Sequence, residues 1–170
     1  MDIEEKRKHM NCIRLLLMDV DGTLTDGTIY ISPNGEAMKG FHVRDGYAIK
    51  HLLPEINISS AIITGRTSKI VEQRAEELSV DYLYQGIIDK FEVLSKLVHE
   101  MGISLSNCAY IGDDVLDLPC MEKIRAAGGI TGCPSDAVDE VKAASDFVSS
   151  KEGGRGAVRE FVEYLSKVSE

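Results

Sequence analysis

Two acidic clusters and the residues between them carry most of the chemistry open to this chain. Asp19 and Asp21, followed by Gly22 and Thr23, close one apolar run, and Gly112, Asp113 and Asp114, with Asp117 further on, close another. Between them lie Thr64-Gly65-Arg66, also ending an apolar run, and Lys90, which opens a helical pattern. A single Asp after a strand commonly caps the next helix, a lone Lys is commonly a solvated surface residue, and Thr suits a strand. Five carboxylates at one edge are different, because they repel one another unless a cation lies among them. Oxygen-only ligation suits Mg2+. A phosphoryl group held at such a cation needs further neutralisation, which Lys90 can supply, and Thr64 can donate a further hydrogen bond.

Rival templates fail on spacing. A calcium loop beginning at Asp19 needs Gly sixth and an acid twelfth, whereas Gly22 is fourth and Tyr30 twelfth. The chain also lacks GxSxG, HExxH and GxxxxGK.

The elements that must position these residues follow from the apolar pattern. Ile13 to Val20, Ser60 to Thr64, Tyr82 to Gln85 and Ala109 to Gly112 read as strands buried on both faces, with shorter candidates at Gly129 to Thr131 and Phe147 to Val148. Between them, Thr67 to Leu78 and Asp89 to Met101 place apolar residues at helical spacing, and shorter helices fit Gly46 to Leu53, Val115 to Ala126, Ser135 to Ala144 and Ala157 to Lys167. Alternating strands and helices predict an α/β fold, a doubly wound parallel sheet. One insertion interrupts the alternation. Thr28 to Ser32 and Glu36 to Val43 flank Pro33-Asn34-Gly35, which predicts a β-hairpin flap over 28–43. The ligand crevice of an open parallel sheet lies beyond the carboxyl ends of its strands, where the polar residues fall.

The 170 residues fit one domain, residues 1–170, with a charged extension at 1–11 and a Gly-rich tail and helix at 151–170. Apolar residues at 44% and charged residues at 28% exclude a disordered or fibrous chain. The 28 Asp and Glu against 19 Lys and Arg give a net charge of -9, which disfavours nucleic-acid and anionic membrane partners. Cys12, Cys108, Cys120 and Cys133 form no CxxC pair and lack zinc-ligand spacing, and the N-terminus lacks a signal-peptide apolar stretch. A cytoplasmic protein with reduced thiols is expected.

In order and spacing, Asp19-Val20-Asp21-Gly22-Thr23, Thr64-Gly65-Arg66, Lys90 and Gly112-Asp113-Asp114-Val115-Leu116-Asp117 resemble the four motifs of haloacid dehalogenase superfamily phosphatases. The segments Phe41 to Gly46, Ala61 to Arg66, Tyr110 to Asp114 and Gly153 to Glu160 resemble the branch without a cap domain that acts on phosphorylated keto-sugar acids. The resemblance implies Asp19 as nucleophile, Asp21 as general acid and base, and Thr64 and Lys90 as ligands of the phosphoryl oxygens. It further implies Mg2+ bound by Asp19, Asp113 and the carbonyl of Asp21, with Asp114 and Asp117 orienting the ligands and Lys90.

For an acidic sugar, Arg44, Arg66, Arg74 and Arg155 are candidate carboxylate partners, with Gly65 and Gly154 offering backbone close to the substrate. In the related phosphatases of nine-carbon keto-sugar acids the residue after Thr-Gly tends to be Glu, so with Arg66 the resemblance implies an eight-carbon acid, 3-deoxy-D-manno-octulosonate 8-phosphate of lipopolysaccharide precursor synthesis, over a nine-carbon acid. The resemblance also implies a homotetramer in which the flap is the assembly element and the tail can reach a neighbouring site. A receiver domain is disfavoured by motif order. A non-catalytic assembly module is disfavoured because both Asp19 and Asp21 are present.

Overall fold

A computed structural model describes residues 13–169; the charged extension at 1–11 and Cys12 lie outside the described residues. Strand β1 (Leu15–Met18) is buried at every position, as a central strand covered on both faces must be. It pairs in parallel with β4 (Ser59–Ile63) on one side and β6 (Cys108–Ile111) on the other, with Leu16 opposite both Ser60 and Ala109. Strand β5 (Tyr82–Tyr84) joins β4, while β7 (Ile130–Cys133) and then β8 (Phe147–Val148) extend the sheet beyond β6. The resulting order, β5-β4-β1-β6-β7-β8, reverses its winding at β1. That switch point opens a crevice at the carboxyl end of β1, immediately before Asp19.

The period of two along β1 divides the interior. Leu16 and Met18 enter a core with residues of α1 (43–55), α2 (Lys69–Glu77) and α6 (Ala157–Ser169), among them Ile49, Leu53, Val71, Phe161 and Leu165. Leu15 and Leu17 enter the opposite core with α3 (Lys90–Glu100), α4 (Leu118–Ala126) and α5 (Asp139–Ala143), through Leu94, Leu97, Met121, Ile124 and Val141. Each fully buried Leu stabilises the fold by about 2 kcal/mol. Helix α1 starts earlier than its apolar pattern predicts and contains a π-helical turn at Ala48–Leu52. His42 extends it backward, its Nδ1 accepting from the amide of Arg44 at 3.2 Å.

The insertion after β1 is only the predicted hairpin, β2 (Tyr30–Ser32) with β3 (Gly35–Met38), turning at Gly35 with φ of 106°. It is shorter than the 28–43 span, because residues 39–42 leave the ladder to reach α1. Ile31 is 76% exposed and Met38 57% exposed on this hairpin. No helix among the described residues is long and apolar enough to cross a membrane.

Candidate active site

The ends of three strands converge as the sequence predicts. Asp19 leaves β1 with its amide donating to the Ile111 carbonyl of β6 at 3.1 Å, which fixes it at the sheet edge. Lys90, first residue of α3, is buried, and its ammonium lies 2.8 Å from Asp19 Oδ1 and 2.8 Å from Asp117 Oδ1. Asp113 reaches the same centre behind β6, and Thr23 Oγ1 donates to Asp113 Oδ1 at 3.1 Å. Thr64, buried at the end of β4, carries a hydroxyl without a protein partner among the described residues.

Close approach explains the glycines here. A Cβ on Gly22, whose φ is 93°, would lie 2.1 Å from Asp113 Oδ2, and one on Gly112 would lie 2.4 Å from the Asp117 carboxylate. The backbone is cut back so that carboxylates can fill the space.

Asp19, Asp113 and Asp117 each offer a carboxylate oxygen within 4.8 Å of the others. Three carboxylates against the one ammonium of Lys90 leave two negative charges in a poorly solvated pocket. Burial, then the charge of Asp117, pushes Asp19 up to about 6 despite Lys90. Burial, then Asp19 and Asp117, pushes Asp113 up to about 8. Burial works against the Lys90 ammonium, but Asp19 and Asp117 outweigh it and hold its pKa above the ordinary value. A divalent cation closes this charge balance, so the donor set fits a hard, oxygen-ligated metal.

Asp117 is already committed elsewhere. Its Oδ1 accepts from Lys90 and from the Tyr110 hydroxyl at 2.7 Å, and its Oδ2 accepts from the amides of Asp113 and Asp114 at 3.1 and 3.3 Å. These four bonds occupy its lone pairs, leaving Asp19 and Asp113 as the side chains for a metal. Asp117 therefore orients Lys90 and the Asp113 loop.

Haloacid dehalogenase-like hydrolases match residues 73–161 of the chain. The 3-deoxy-D-manno-octulosonate 8-phosphate phosphatases of Salmonella typhi and of Escherichia coli K12 are each 46% identical over 153 residues, covering 90% of this chain and 79% of the relative. The chain belongs to this phosphatase family. Its fold agrees with that of the Moraxella catarrhalis phosphatase, solved with magnesium, phosphate and its sugar acid, at a TM-score of 0.89 and 39% identity, covering 98% of this chain and 93% of that one. A cobalt-bound Haemophilus influenzae phosphatase aligns at a TM-score of 0.87 and 38% identity, covering 95% and 91%. Capless architecture is thus common to this chain and to the phosphatase family.

For a phosphatase of this family, several expected site residues fall in separate places. Asp114, expected to help orient the centre, faces outward and caps the following turn, its Oδ1 accepting from the Val115 amide at 2.7 Å. Asp21 adds no carboxylate to the buried trio; its side chain turns to the flap. Arg44 and Arg155 line one open cavity of about 290 Å3 between α1 and the tail, with Lys151 and Arg159 and with the carboxylates Glu160 and Glu163. Arg66 is exposed next to Gly65 and stands 4.0 Å from Glu36 of the flap. Arg74 lies over the Phe41 ring, 5.5 Å from its centroid, and pairs with Glu77 at 2.8 Å.

The Gly-rich tail departs from its expected role as an anion-binding loop. The Gly154 amide donates to the Thr23 carbonyl at 3.0 Å and the Gly153 amide to Asp136 Oδ1 at 2.9 Å. The tail packs on the Asp21 to Asp26 loop of its own chain, so closely that a Cβ on Gly153 would lie 1.9 Å from the Gly22 carbonyl oxygen. Its glycines serve close packing, and the amide of Gly154 is not available to an anion.

Sequence reasoning missed Tyr110, Thr23 and Lys39. Tyr110 sits in an all-apolar strand and reads as core, while Thr23 is visible only as part of the Asp19 motif. Lys39, whose side chain is 2% exposed, pairs with Asp21 at 2.5 Å from the end of a hairpin whose fold-back no local pattern specifies.

Proposed function

We propose that this protein releases phosphate from 3-deoxy-D-manno-octulosonate 8-phosphate by way of an aspartyl phosphate on Asp19. The observation that carries the reading is the buried Asp19–Lys90–Asp117 chain with Asp113 beside it, in a phosphatase family with relatives 46% identical to this chain over 153 residues. Asp19 and Asp113, with the main-chain carbonyl of Asp21, would hold Mg2+, which neutralises phosphoryl charge when bound.

The chain's own residues do the rest. Lys90 and the free Thr64 hydroxyl donate to phosphoryl oxygens, and Lys90 is held in place by Asp117. Asp19 attacks phosphorus, Asp21 protonates the departing sugar oxygen, and Asp21 then takes a proton from the water that hydrolyses the acyl phosphate. The cavity lined by Arg44 and Arg155 is suited to the sugar carboxylate, because four cations, Arg44, Lys151, Arg155 and Arg159, line it against two carboxylates, Glu160 and Glu163. Ile29, Tyr30, Ile31 and Met38 leave the hairpin with an uncovered apolar surface, which supports a homotetramer assembled through the flap.

The test is phosphate release from the octulosonate 8-phosphate, a nine-carbon keto-acid 9-phosphate and a hexose phosphate, with Mg2+ or chelator. Preference for the octulosonate that needs Mg2+ and disappears in Asp19→Asn is expected. Preference for the nine-carbon acid would overturn the substrate, and release by Asp19→Asn at the wild-type rate would overturn the mechanism.

A further inference from the structure

Asp21 stands on a loop, half-buried, and the loop itself does not hold its carboxylate. The flap does. Lys39 Nζ lies 2.5 Å from Asp21 Oδ1 and 2.8 Å from Glu36 Oε1. The other Glu36 oxygen accepts from the Ser68 hydroxyl, and Ser68 Oγ also accepts from the Ile70 amide at 3.2 Å as the N-cap of α2. The Ser68 amide is in turn tied to Gln85 Oε1 at 2.9 Å. A polar ladder therefore runs from the start of α2, across the hairpin, to the Asp21 carboxylate.

An exposed Lys–Asp pair would add little, but the Lys39 side chain is enclosed and clamped between two carboxylates. Asp21 Oδ2 has no protein partner among the described residues. An ammonium can only donate, so the oxygen facing Lys39 must accept and a transferable proton is confined to Oδ2. The chain thus assigns different tasks to the two oxygens of one carboxyl group.

We propose that Lys39 is a positioning residue for the hydrolysis, holding Asp21 by Oδ1 so that Oδ2 meets the ester oxygen. The inference rests on the phosphatase reading above. In the first half-reaction the Asp19 oxygen bonds to phosphorus as the phosphorus–ester bond breaks; the electron pair goes to the ester oxygen, which takes the proton from Asp21 Oδ2. In the second, Asp21 Oδ2 takes a proton from water, the water oxygen bonds to phosphorus, and the Asp19–phosphorus bond breaks to release phosphate.

Leaving groups separate this role from a merely structural one, because a sugar alkoxide needs the proton and p-nitrophenolate does not. The quantity to measure is kcat/KM, which reports the steps through the first irreversible one, for a sugar phosphate and for p-nitrophenyl phosphate, with the full chain and Mg2+. Lys39→Met is expected to lower kcat/KM for the sugar phosphate by about 10- to 100-fold and for the aryl ester by less than about threefold, with Lys39→Arg recovering much of the loss. Glu36→Gln, which cuts the next rung and keeps both partners of the Asp21 pair, shifts the ratio of the two substrates in the same direction. Equal losses on both substrates, or an unchanged ratio in Lys39→Met and Glu36→Gln, would overturn the proposal. A wild-type protein inactive on both esters would instead overturn the phosphatase reading.

Discussion

Asp117 and Asp114 lie three residues apart and do different work. Asp117→Asn removes the charge that faces Lys90 and one pair of acceptor sites for Tyr110 and the Asp113 loop, so kcat should fall by about 10- to 100-fold while the protein stays folded. Asp114→Ala removes a turn cap, costing about 1 kcal/mol in a urea titration with a far smaller change in rate. The acid cluster also predicts a pH dependence. Burial first, and then mutual repulsion, raises Asp19 to about 6 and Asp113 to about 8, above their unfolded values. Groups shifted in this direction contribute stability at low pH and lose it as pH rises through the folded values. In chelator the melting temperature should therefore fall between about pH 5 and about pH 8.5, and Mg2+ should raise it more at the upper end. A Mg2+ effect independent of pH would contradict the assigned ligands. At this scale the acids and Lys90 were legible because spacing after each strand exposes them, whereas Asp117 as orienter and Asp114 as cap differ only in three-dimensional placement.

Strand β1 and its neighbours were readable because a strand buried on both faces is an unbroken apolar run, and the hairpin because Asn34-Gly35 sits between short strands. The tail was not. Gly153 to Gly156 look alike whether glycines bare their amides to an anion or let two backbones touch, and only the packing of 22–26 against 153–154 decides between them. Gly153→Ala forces a methyl group onto the Gly22 carbonyl, so it should cost about 1–3 kcal/mol in chemical denaturation. Through Gly154, Thr23 and Asp113 the same strain reaches the catalytic centre, and activity should fall with it. A Gly153→Ala protein with unchanged stability would mean that the tail does not rest on this loop.

For the whole molecule, the charge of -9 repels anionic partners, and the cations that would admit an anionic sugar are gathered at Lys90 and around the Arg44–Arg155 cavity. Composition shows the sign of the field, but only the fold shows which arginines share a cavity: Arg44 and Arg155 do, while Arg66 stands by Glu36 of the flap and Arg74 over Phe41. The proposed homotetramer rests on the hairpin's exposed apolar surface. Ile31→Glu, at a residue 76% exposed, should convert tetramers to smaller species in sedimentation velocity, and a wild-type monomer would refute flap-mediated assembly. The most direct test of the central claim is to trap phosphate on the protein during turnover of the octulosonate 8-phosphate and to locate it by peptide mass spectrometry. The account predicts an acid-stable, hydroxylamine-labile adduct on Asp19 that is absent from Asp19→Asn; a labelled residue other than Asp19, or full turnover by Asp19→Asn, would contradict it.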